Sequence, residues 1–178
     1  ASVQSVATKA TALETEIAKL SASVGGTGMY VLESSTLSIG QTADLTVQRV
    51  GSNAALTATT DLAQSDLMVT GNLVLQTLAG SIVVTEGDTD TGTVGIQVTS
   101  GNVLLKAVGT GANIQIDADL ILSNGNLSLD AAQDILQNAD VTSQAIAKTV
   151  DMVAGRHIIM SQDDATTTRT LTTNLGDV

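Results

Sequence analysis

The chain of 178 residues has no proline, no cysteine, no tryptophan and no phenylalanine, and a single tyrosine, Tyr30. Each absence excludes something. Without cysteine there are no disulfides and no thiolate metal sites, although this does not fix the redox compartment. Proline removes a ladder hydrogen bond and is kept out of central strands, so a chain whose strands are mostly paired on both sides has little room for it. With aromatics at 1% and hydrophobic residues at 43%, the core must be built from Val, Ile, Leu, Ala and Met. A thin core with one aliphatic layer per repeat has no need for large rings.

Positive charge is scarce too. Seven Lys and Arg stand against 18 Asp and Glu, for a formal net charge of −11. Such a surface repels nucleic acid and anionic membrane, so neither is an expected partner. No run of about 20 apolar residues is present, so membrane insertion by a spanning helix is not expected. No signal peptide is visible.

What the chain does contain is a recurring phrase. It reads Gly71-Asn72-Leu73-Val74-Leu75, then Gly101-Asn102-Val103-Leu104-Leu105, then Gly125-Asn126-Leu127-Ser128-Leu129, with a looser copy at Gly155-Arg156-His157-Ile158-Ile159. The spacings are 30, 24 and 30 residues. Self-similarity at this period marks solenoids, propellers and arrays, whose units are too small to bury an apolar face alone and must stack. From Met29 onward, period-two segments of three to five residues alternate with Gly-Asn, Ala-Gly, Asn-Gly-Asn and Asp-rich turn formers. The fold class expected is therefore all-β, a parallel β-helix (β-solenoid) over 29–178, with an antiparallel sandwich or meander as the alternative. Leu73, Leu75, Val103, Leu105, Leu127 and Leu129 should point inward, with Val74, Leu104 and Ser128 on the opposite side. The repeated Asn72, Asn102 and Asn126 should stack at the inter-strand spacing and bond to one another as a ladder.

Residues 1–24 carry a different period. Val3, Val6, Ala10, Leu13, Ile17, Leu20 and Val24 are spaced alternately by three and four, which is an unbroken a/d heptad seam. Gly25-Gly26 would end such a helix, with 25–28 as a Gly-rich linker. The expectation is a short N-terminal coiled-coil α-helix that makes a homo-oligomer, with dimer and trimer both open. A helix of this length is marginal alone, which favours association.

The register Leu-x-Val-x-Gly-Asn-Leu-x-Leu-x-x-x-Ala-Gly-x-Ile-x-Val, from Leu67 to Val84, resembles the repeats of filamentous haemagglutinin and other large bacterial surface β-helix proteins. The stretches Ile96–Ile116 and Leu120–Leu136 fit the same pattern. The resemblance covers about residues 55–160 and implies a right-handed parallel β-helix on an exported, surface-attached or secreted protein. The heptad start departs from that family and resembles a trimeric-adhesin stalk or phage tail fibre.

Chemistry-bearing residues are few. Glu86, Asp88 and Asp90 alternate in the longest acidic insertion, and alternating carboxylates followed by Gly can wrap Ca²⁺, which takes six to eight oxygens in flexible geometry. The distant bidentate Glu of an EF-hand is missing, and a solvated acidic loop explains the same residues. Calcium is the one candidate cofactor. Asp117, Asp119, Asp163 and Asp164 read as acidic turns. His157 is the only histidine, and without cysteine it cannot assemble a typical zinc or triad site. No catalytic residues are expected. The pattern points to a non-enzymatic structural fibre or adhesin segment that self-associates, and the resemblance implies that it is extracellular or at the cell surface. The alternative is a trimeric phage-type or secreted fibre that binds a surface glycan.

Overall fold

A computed structural model of the protein describes residues 2–3, 11–87, 92–161 and 170–174. Because each short strand exposes half its residues to a face it cannot cover alone, the chain winds into coils with three strand positions each. The first coil holds β1 (Ser2–Val3), β2 (Leu13–Thr15) and β3 (Lys19–Leu20). The second holds β4 (Ala22–Val24), β5 (Gly28–Glu33) and β6 (Leu37–Ile39). A hairpin of β7 (Leu45–Val50) and β8 (Leu56–Asp61) follows. The winding resumes with β9 (Leu67–Thr70), β10 (Asn72–Thr77) and β11 (Ile82–Val84). Then come β12 (Val94–Ser100), β13 (Val103–Ala107) and β14 (Ile114–Ile116). The fifth coil is β15 (Asp119–Leu122), β16 (Leu127–Ala131) and β17 (Asp134–Gln137). The sixth is β18 (Val141–Ile146), β19 (Val150–Ala154) and β20 (His157–Met160), and β21 (Leu171–Asn174) follows.

Equivalent strands of successive coils pair in parallel. Sheet 1 is ordered β1-β4-β9-β12-β15-β18-β21, sheet 2 is β2-β5-β10-β13-β16-β19, and sheet 3 is β3-β6-β11-β14-β17-β20. This is an all-β, three-sided parallel β-solenoid.

Its core is a set of axial stacks, one residue per coil. In sheet 2, Met29, Leu73, Val103 and Leu127 align, as do Val31, Leu75, Leu105 and Leu129. Sheet 3 contributes Leu37, Ile82, Ile114 and Ile135. Sheet 1 contributes Leu67, Ile96, Leu120 and Val141. All of these are buried. Each fully buried Leu or Ile contributes about 1.5–3 kcal/mol by leaving water. The six inward residues expected from the sequence point inward, and Val74, Leu104 and Ser128 lie half-buried on the outer face.

Three expectations need correction. No helix occurs among the described residues, so the coiled coil at 1–24 is not found. Val3 lies in β1, Leu13 in β2, Leu20 in β3 and Val24 in β4, while Val6 and Ala10 lie outside the described residues. The physical reason is geometric. A strand followed by a corner also places inward residues three or four apart, so a solenoid coil can imitate a heptad. Here Leu13 pairs with Val31, Leu20 with Ile39 and Val24 with Val69, and Ile17 and Leu20 pack against the core. Leu13, at the end of sheet 2, remains 45% exposed, whereas Val24 is 3% exposed.

Second, the period-two segments Leu45–Val47 and Ala55–Ala58, which fall in the 29–178 stretch expected to wind as solenoid, do not form rungs. β7 and β8 pair with each other, antiparallel, in six cross-strand pairs from Leu45–Asp61 to Val50–Leu56. Both strands are exposed throughout. Third, the looser fourth copy of the repeated phrase belongs to a different sheet. Val150-Asp151-Met152 stacks on Leu127-Ser128-Leu129 in sheet 2, whereas His157–Met160 stacks on β17 in sheet 3.

Candidate functional site

Polar side chains concentrate at the three corners, where the backbone leaves one sheet for the next. At the corner entering sheet 2, Asn72 Oδ1 accepts from the Asn102 backbone N–H at 2.9 Å. Asn102 Oδ1 in turn accepts from the Asn126 backbone N–H at 3.0 Å and from its Nδ2 at 3.1 Å. Asn126 Oδ1 accepts from the Thr149 N–H at 3.0 Å. The asparagine ladder read from the sequence is present, and its rungs run mainly from side chain to backbone. Left-handed glycines beside it let the coils approach: Gly101 has φ +107°, and a Cβ there would lie 2.4 Å from the Gly71 carbonyl carbon.

A second ladder, not recognised in the sequence, runs along the corner entering sheet 3. Thr36 Oγ1 accepts from the Ser81 N–H, Ser81 Oγ from the Asn113 N–H, Asn113 Oδ1 from the Asp134 N–H, and Asp134 Oδ1 from the His157 N–H. Each of these residues opens or directly precedes a strand of sheet 3. The signal was a short polar residue before an aliphatic strand start. It was hidden because the residue type changes at every coil. At the third corner, Asp119 Oδ1 accepts from the Asp140 N–H, and Asp140 Oδ1 accepts from the Thr170 N–H at 2.8 Å.

Among the described residues, two carboxylates are buried, Glu33 and Asp134. Glu33 is 0% exposed. Its Oε2 accepts from Thr15 Oγ1 at 2.6 Å and from the Ile17 N–H at 3.0 Å, and its Oε1 from the Ser35 N–H and Oγ, both at 3.0 Å. Burial pushes this carboxyl up, but the hydrogen bonds from Thr15, Ile17 and Ser35 together hold it below the usual glutamate range. Asp134 is bracketed by Arg156, whose Nε donates to Oδ1 at 2.9 Å while the second terminal nitrogen donates to Oδ2. Arg156, aided by the neighbouring His157, holds the Asp134 carboxyl low against the opposing effect of burial, and Asp134 raises the guanidinium in turn. His157 Nδ1 lies 3.4 Å from Asp134 Oδ1, with most of its ring in solvent.

Of the calcium candidates, Asp88 and Asp90 lie outside the described residues, as do Asp163 and Asp164. Glu86 lines a groove of about 340 Å³ with Thr93, Asp117, Asp119 and Asp140. Its aspartates are occupied as acceptors. Asp117 accepts from Asn138 and Gln115, and Asp119 accepts from Thr93 and Asp140. Among the described residues, no group of three or more His, Cys, Asp or Glu is arranged to hold a metal ion.

A different groove, of about 470 Å³, lies on the outer face of sheet 2 beside the asparagine ladder. Tyr30, Val74, Leu104 and Ser128 align across four coils as its floor, and Asn72, Asn102 and Asn126 form its wall. The sequence pointed to Val74 and Leu104 as an outer apolar face. It did not show that Tyr30 joins them, because the coil between β5 and β10 is lengthened by the hairpin.

No family model, curated protein or solved structure matches the chain.

Proposed function

We propose that this chain is a non-enzymatic, extracellular or cell-surface structural fibre or adhesin segment that self-associates. One observation carries the reading. Among the described residues, β7 and β8 pair only with each other, as a two-stranded sheet set in the middle of the chain. Open strand edges present unpaired N–H and C=O groups and template pairing with another chain. On this hairpin Leu45, Val50 and Leu56 are 61%, 70% and 66% exposed, and exposed apolar patches mark contact surfaces. The use of polar side chains supports a structural role. The corner carboxylates and amides accept backbone N–H groups from the next coil, so they hold the shaft together. With the N-terminal segment in strands, association is assigned to the β7–β8 hairpin.

Electron microscopy of the purified protein, with sedimentation velocity across micromolar concentrations, tests the reading. Rods or concentration-dependent oligomers are expected. A single monomeric species at every concentration would overturn it. The second reading, a fibre that binds a surface glycan, is favoured by the uncharged groove on sheet 2.

A further inference from the structure

We propose that the outer groove of sheet 2 binds a neutral, linear oligosaccharide lying along the solenoid axis. This goes beyond self-association and does not depend on it.

The argument starts from charge. The chain carries a net −11, yet every residue lining this groove is uncharged. The nearest cation on the same face, Lys106, is paired with Asp130. An anionic polymer would meet no free cation among the lining residues, and the carboxylate on the floor's axis, Asp151, lies one coil beyond Ser128 and outside the lining. A neutral ligand fits.

The lining narrows the class further. The floor is apolar along Val74 and Leu104, with the phenol ring of Tyr30 at one end and the hydroxyl of Ser128 at the other. Sugar rings present apolar C–H faces that pack on aromatic and aliphatic surfaces, while their hydroxyls need donors and acceptors at the rim. The wall supplies these. Asn72 Nδ2 donates to Tyr30 Oη at 3.3 Å, so the phenol proton is directed elsewhere. In the ladder Asn102 uses its backbone N–H and Oδ1, so its Nδ2 takes no part in those bonds. Because coils repeat at about 4.8 Å, a linear chain along the axis passes three asparagines, of which Asn72 and Asn126 donate Nδ2 within the protein and Asn102 does not within the ladder.

An extended peptide fits less well. It would need unpaired backbone groups, but β10 and β13 are each hydrogen-bonded to neighbours on both sides. A groove flanked by strands already paired offers it no edge.

Tyr30 is the only aromatic residue in the chain, so intrinsic fluorescence reports on this groove alone. The full chain is titrated with cellohexaose, mannohexaose and chitohexaose, and with hexagalacturonate as an anionic control. A saturable change in Tyr30 emission is expected with at least one neutral hexasaccharide and not with hexagalacturonate. Leu104→Asp, on the outer face, should weaken that binding about tenfold or more, the scale of losing a central contact, with the circular dichroism spectrum unchanged. Ser128→Lys serves as a second variant if the first does not fold. No emission change with any neutral sugar at millimolar concentration overturns the proposal. So does calorimetric binding that leaves emission and the variants unaffected, which would place a glycan site elsewhere. An emission change that follows protein concentration instead of sugar also overturns it, in favour of a second copy covering the face. Assembly is read by microscopy and sugar binding by emission, so the two proposals fail separately.

Discussion

Asn102 Oδ1 bridges two donors of Asn126 on the next coil, the backbone N–H at 3.0 Å and the side-chain Nδ2 at 3.1 Å. One side-chain oxygen thereby satisfies a corner N–H that lies outside the sheet ladders. Asn102→Ala removes the acceptor and leaves the N–H to water at an exposed corner. We expect a loss of about 1 kcal/mol, the net value of an ordinary hydrogen bond, measured by urea denaturation. No change in midpoint would show that the ladder is not stabilising.

Leu105 is fully buried between Leu75 and Leu129, while Ser128 faces outward. Leu105→Ala should cost about 2–5 kcal/mol through lost transfer energy and an unfilled cavity. Ser128→Ala should change stability by less than about 0.5 kcal/mol. Equal, small effects would contradict the inward assignment of this stack.

Gly101 sits at φ +107°, where a side chain is strained, and its missing Cβ makes room for the backbone of Gly71. Gly101→Ala should therefore be more damaging than its single methyl suggests. Backbone strain alone is worth about 1–3 kcal/mol, and the steric overlap adds to it. Thermal unfolding checks this, and a melting temperature within error of the parent would rule it out.

Glu33 ties β5 to residues of the preceding coil through Thr15 and the Ile17 N–H. Its carboxyl is depressed in the folded state, so the unfolded chain takes up the proton first as pH falls. The stability it contributes is complete above the ordinary glutamate value, ~4.3, and is lost as pH drops through the lower folded value. Asp134, depressed by Arg156, acts in the same direction. Denaturation midpoints should fall between pH 5 and pH 3, with a shallower fall in Glu33→Gln. Hydrogen exchange of Glu33→Ala should show residues 13–20 opening ahead of the central coils. An unchanged exchange pattern would mean that this carboxylate does not anchor the first coil.

Much of this architecture was legible in the sequence because a solenoid is locally periodic. The inward and outward alternation of Leu73-Val74-Leu75 and its copies follows from a strand having period two, whatever surrounds it. The Gly-Asn corners were legible for the same reason: each takes a residue without a Cβ and a short acceptor, with left-handed backbone at Gly71 and Gly101, and the same two residue types recur at three coils. The Asp134–Arg156 pair and the sheet 3 ladder were not legible. Their members are 21 residues apart or more and vary in type, and only stacking brings them together.

The heptad-like spacing of residues 3–24 marks where local pattern and tertiary context part. Leu13, Ile17, Leu20 and Val24 satisfy a coiled-coil seam and a strand-corner-strand path equally well. The sequence by itself determined that these positions are apolar on one side of the chain, that the core is aliphatic and that the surface is acidic. Only the tertiary structure decided that their partners are Val31, Ile39 and Val69 and not a second helix. The reason is that a preformed neighbouring coil offers both unpaired backbone groups and an apolar face. An isolated short helix has an apolar seam but nothing to bury it against, so packing overrides the local period.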